Sequence, residues 1–95
     1  MISIRSILEI DKIHGFVSYT DLSILNEISE SDAQKILPET TRQLMGELLR
    51  IKAGDDWRLV APIDKVAGNK KGMKIYWNSD FSPDHLRNLL LERFQ

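Results

Sequence analysis

The chain has 95 residues, 42% apolar and 28% charged, a length and balance that predict one globular domain spanning 1–95 and exclude disorder and fibrous classes. It has no cysteine, which excludes a disulfide framework, thiolate catalysis and cysteine-ligated zinc. Net charge is -1, below what a strongly basic nucleic-acid binder carries, yet it is unevenly spread: -4 over residues 1–40, +4 over 41–78 and -1 over 79–95.

The N-terminal run Met1 to Ile7 lacks a basic leader followed by an apolar stretch, and no long apolar run occurs later, so no membrane or targeting segment is expected and the location expected is cytoplasmic. Ser3 is placed to cap a first helix over 3–14, with Ile4, Ile7 and Leu8 on one face and Gly15 as its left-handed stop. Ser18, with Asp21 three residues on and Val17 placed to clasp Leu22, opens a short second helix whose inner face is Leu22, Leu25 and Ile28. Ser31 to Gln34 has capping-box spacing and starts a further turn, which Pro38 should break. The longest helix is then expected over 39–52, with Leu44, Met45, Leu48, Leu49 and Ile51 as its apolar stripe.

Ala53-Gly54-Asp55 ends that helix, and Asp56 to Ala61 reads as a strand. Residues 63–72 read as a loop with a turn at Gly68-Asn69-Lys70-Lys71-Gly72. The returning strand, 72–77, alternates Met73, Ile75 and Trp77 with Lys74 and Tyr76. The pattern therefore pairs the Trp57 segment with the Trp77 segment in one hairpin. Ser82-Pro83-Asp84 opens a last helix with a buried stripe of Leu86, Leu89, Leu90 and Phe94. Leu89, Leu90 and Leu91 are consecutive and cannot all face one core, so Leu89, Leu91 and Phe94 are candidates for a homodimer contact.

Catalytic constellations are absent from the pattern. His14 and His85 have no partner motif, and the carboxylates are scattered or, as in Asp55-Asp56, part of a turn; no enzyme activity, cofactor or metal is expected. Threonine, arginine and glutamine on the polar side of the 39–52 helix are residue types that bond phosphates and base edges, which makes Thr40, Thr41, Arg42, Gln43 and Arg50 candidates for DNA contact, with Glu47 opposing them. Asn69, Lys70, Lys71 and Lys74 could meet a phosphate backbone from the hairpin. Trp57, Tyr76 and Trp77 read as packing residues.

The order of elements resembles the winged helix-turn-helix superfamily. Phe16 to Leu22 looks like the start of its second helix, Glu39 to Leu49 resembles the recognition helix, and Lys71 to Trp77 is similar to the outgoing strand of the wing. The resemblance implies an α+β fold in which helices pack on a two-stranded β-hairpin wing and a C-terminal helix follows. It also implies a small transcriptional regulator that binds duplex DNA through the 39–52 helix and the 64–74 wing. Because members of that superfamily also serve as protein-interaction modules, a protein partner in a larger assembly or as a phage or mobile-element accessory protein remains the alternative.

Overall fold

The computed structural model describes residues 3–94. Its elements in chain order are α1 (Ile4–His14), β1 (Val17–Ser18), α2 (Tyr19–Asn26), α3 (Glu30–Met45), β2 (Leu49–Ala53), β3 (Asp56–Val60), β4 (Ile63–Gly68), β5 (Gly72–Trp77) and α4 (Pro83–Arg93). The fold is α+β, with antiparallel strands in two sheets: three strands in the order β1-β5-β4, and the separate pair β2-β3.

Local signals set both ends of α1 and the start of α2 as expected, but α2 ends at Asn26 with Glu27 at φ 54, so Ile28 packs on the core from beyond the helix. The Ser3 hydroxyl accepts from the Ser6 amide, and Gly15 ends α1 at φ 66, where only glycine is unstrained. The Ser18 hydroxyl accepts from the Asp21 amide and starts α2. Asn26 joins the two helices: its side-chain oxygen accepts from the Ser3 amide at 3.0 Å, and its NH2 donates to the Ser6 hydroxyl at 3.0 Å.

The middle of the chain departs from expectation. One helix, α3, runs from Glu30 through Pro38 to Met45, capped by the Ser29 hydroxyl on the Asp32 amide rather than by Ser31. Pro38 removes the amide that would serve the Gln34 carbonyl, but the helix continues across it because Ala33, Leu37, Thr41 and Leu44 bury one face along its whole length. It stops at Gly46 instead of reaching Lys52. Residues 49–53 are strand: Leu49 and Ile51 are buried while Arg50 and Lys52 are exposed, a period of two that also satisfies helical spacing when read with Leu44, Met45 and Leu48. Met45 and Leu48, expected in the stripe, are exposed.

The hairpins are also partnered differently. β3 pairs with β2, Lys52 opposite Trp57 and Arg50 opposite Leu59. β5 pairs with β4, a segment expected to be loop, with Val66 opposite Ile75 and an irregularity between Ile63 and Lys65. Trp57 and Trp77 thus stand in separate hairpins. The glycine-lysine turn lies where the sequence places it, between Gly68 and Gly72.

β1 crosses the start of β5, with Val17 opposite Met73 and Ser18 opposite Gly72. A Cβ on residue 72 would collide with the Val17 carbonyl, so glycine is required there by close approach. One buried cluster joins all four helices to both sheets, through residues such as Leu8, Leu22, Leu37, Leu49, Ile75 and Leu86. Leu25 is exposed rather than inward-facing. In α4, Leu86 and Leu90 are buried and Leu89 and Leu91 half-buried against the cluster, which leaves Phe94 as the exposed member of the expected dimer contact. No helix among the described residues is long and apolar enough to cross a membrane.

Candidate nucleic-acid interface

The turn between β4 and β5 is shaped from within. The Asn69 side-chain oxygen accepts from the amides of Lys71 at 2.7 Å and Gly72 at 3.2 Å, and the Asn69 amide donates to the Gly72 carbonyl at 2.9 Å. Its side-chain acceptor is therefore committed to the loop, so Asn69 fixes the turn that presents Lys70 and Lys71. The Lys71 carbonyl in turn accepts from the Tyr19 amide at 2.9 Å, which fastens the turn to the first residue of α2.

Three elements converge here. Tyr19 and Thr20 open α2, Glu30 and Gln34 lie in the first turns of α3, and Lys70 and Lys71 close the third side. Between them lie two open depressions of about 370 and 330 Å³, both lined by Tyr19, Gln34 and Lys70. Glu30 is held by a hydrogen bond from the Thr20 hydroxyl. The α3 surface continuing from this groove is polar and exposed at Ser31, Gln34, Lys35, Glu39 and Arg42. Such a face offers cationic, amide and hydroxyl groups next to a lysine-bearing turn, groups that bond phosphate oxygens and base edges, interspersed with the carboxylates of Glu30, Asp32 and Glu39, which oppose phosphate.

The structure sorts the residues expected to contact DNA. Lys70 and Lys71 are exposed at the groove, and Lys74 is exposed on β5 with its ammonium 5.2 Å from the Tyr76 ring, which Lys65 also approaches at 4.7 Å. Arg42 and Gln43 are exposed, but near the end of α3 rather than at its start. Thr41 is 2% exposed, and its hydroxyl donates to the carbonyls of Leu37 and Pro38 at 3.0 and 2.9 Å; it is a core residue and is removed from the contact set. Thr40, half-buried, donates to the Ile36 carbonyl at 3.0 Å. Arg50 belongs to β2, with its guanidinium 5.0 Å from the Trp57 ring, and not to the helix. Glu47 lies beyond α3, where it pairs with Arg93 at 3.3 Å.

Tyr19 and Gln34 line the groove and Ser31 and Lys35 are exposed on α3, although the sequence pattern reads Ser31 and Gln34 only as a cap, because a helix started at Ser31 and broken at Pro38 leaves Ser31, Gln34 and Lys35 in a short connecting turn. Ser29 with Asp32 gives the same cap spacing as Ser31 with Gln34, and the earlier pair puts Gln34 and Lys35 on one long helix.

A second surface lies between α1 and α2. Ile13, Ile24 and Leu25 are exposed around an apolar depression of about 230 Å³ edged by His14 and Asp21, whose side chains are 4.0 Å apart. Among the described residues no cluster of histidine and carboxylate side chains could hold a metal ion. Comparison with known proteins finds no match: no family model, curated protein or solved structure aligns with this chain.

Proposed function

We propose that the chain is a winged-helix module that binds duplex DNA, with the exposed face of α3 as the groove-reading helix and the β4–β5 turn as the wing. The order α1-β1-α2-α3 followed by a hairpin whose outgoing strand pairs with β1 supports that arrangement, with β2-β3 as an additional hairpin between helix and wing. The observation that carries the reading is the convergence of Lys70 and Lys71 with Tyr19 and Gln34. Ser31, Gln34 and Lys35 would face the bases and Lys70 and Lys71 the phosphates; Lys74 and Arg42 extend the cationic surface.

Fluorescence anisotropy with mixed-sequence duplex DNA tests it. Binding is expected at low salt and to weaken linearly in log-log salt plots. Substituting both Lys70 and Lys71 by alanine should reduce the slope by about 2, one for each phosphate that is no longer neutralised. Wild-type protein that does not bind at low salt, or a double variant with an unchanged slope, rejects the proposal.

The exposed Ile13, Ile24 and Leu25 favour a second reading, in which the same fold docks a protein through α1 and α2. Asp21 edges the apolar depression between those helices, so the matching partner is an apolar segment carrying a basic residue to meet it. Failure of the DNA titration together with loss of a purified partner on Ile24→Arg would favour this reading.

A further inference from the structure

We propose that the chain forms a homodimer by edge-to-edge antiparallel pairing of β3 with β3 of a second copy, centred on Trp57. Among the described residues β2 and β3 form a sheet of only two strands, in unbroken register over five residue pairs, so β3 pairs with a strand on one side alone. Gly54 has φ 65 while Asp55 has none of the positive φ values found in the described residues, as a two-residue type II′ turn requires. Such a turn closes on a hydrogen-bonded pair, here Ala53 with Asp56, so along β3 the backbone groups of Asp56, Arg58 and Val60 point to β2. Those of Trp57 and Leu59 point outward, and among the described residues neither bonds to a backbone group outside the hairpin. The side chains of Trp57 and Leu59 are 55% and 69% exposed on the side of the sheet they share with Arg50 and Lys52, where Trp57 borders a depression of about 300 Å³ with His85 and Leu89 of α4.

An uncovered edge with two large apolar side chains is a template for another strand, and charge decides which strand fits. Pairing centred on Arg58 or on Asp56 would set like charges directly opposite each other. Pairing centred on Leu59 leaves Arg58 opposite Val60. Centred on Trp57, it sets Asp56 opposite Arg58 of the second copy, twice by symmetry, as a close non-hydrogen-bonded pair, while Trp57 meets its own copy and Leu59 lies diagonal to it. The strand is thus complementary to itself in one register. A nucleic acid stacking on Trp57 beside Arg50 and Lys52 would use the same side chains, but it would leave the outward amides and the Asp56 and Arg58 pattern without a role.

The test uses the whole chain and no DNA, so its failure leaves the groove reading intact. Sedimentation from micromolar to millimolar concentration is expected to show growth from the 11.0 kDa monomer to twice that mass. Asp56→Arg and Arg58→Asp, each placing like charges opposite, should weaken association about tenfold or more, and the double variant should return it to within about threefold of wild type. A monomer at every concentration overturns the proposal, as does a dimer indifferent to both charge reversals. A monomer whose Trp57 indole signal shifts on adding a single-stranded oligonucleotide overturns it in favour of the nucleic-acid surface.

Discussion

Asp11 is 2% exposed, and one of its carboxylate oxygens receives both the Trp77 indole N–H and the Arg87 Nε–H, each at 2.8 Å. Arg87 reaches on to Asp84 at 2.8 Å and lies 5.5 Å from the Trp77 ring, so a single acid ties α1, β5 and α4 together. A buried ion pair contributes little net stability against an apolar replacement, but removing one partner strands the other's charge and hydrogen bonds. Asp11→Ala is therefore expected to cost about 3 kcal/mol, the low end for a broken buried pair, because the Arg87 side chain retains some contact with water and with Asp84. Urea unfolding followed by tryptophan emission measures it. A loss near zero would mean that Arg87 and Trp77 find replacement partners at no cost. Nothing in the sequence marks Asp11, since its partners lie 66 and 76 residues further along the chain.

That separation between near and distant signals explains what is legible at the level of elements. Caps act within one turn, so Ser3, Gly15 and Ser18 mark true helix ends, and Pro83 opens α4 as its position suggests. Strand partners are chosen by the rest of the molecule. The Trp57 and Trp77 segments each read as strands, yet they do not pair with each other, because their true partners, β2 and β4, are hidden in an extended helical stripe and an apparent loop. The lysines of the candidate site are legible from the turn alone; the helix face opposite them is not, because it depends on Pro38 lying inside α3. Tertiary burial overrides proline's preference there, leaving the Gln34 carbonyl without its helical donor. Pro38→Ala restores that donor and is expected to raise stability by about 1 kcal/mol or more, bounded by the roughly 3 kcal/mol that separates proline from alanine in a helix. Chemical denaturation at constant slope measures the gain. A loss would show that the backbone at Pro38 is bent in a way alanine cannot support.

Across the whole molecule the elements are unequally held. The extents are 47 by 25 by 22 Å, and β2 and β3 pack mainly on each other, whereas β5 lies between β1 and β4 and adds Ile75 to the buried cluster. An isolated hairpin is marginal in water; what anchors this one is the inward side of β2, Leu49 and Ile51, together with the Arg93 bond to the Leu48 carbonyl at its base. Local opening should then release β2 and β3 while the groove, built on α2, α3 and the β4–β5 turn, stays formed. Native-state hydrogen exchange at low protein concentration is expected to show the amides of Arg58 and Val60 exchanging at least about tenfold faster than that of Met73, which faces buried Val17 of β1, with a smaller dependence on denaturant because less surface is exposed by opening the hairpin alone. Equal rates and equal denaturant dependence would place the hairpin in the same cooperative unit as the β1-β5-β4 sheet, because opening it would then require losing the core that Leu49 and Ile51 share with Ile75.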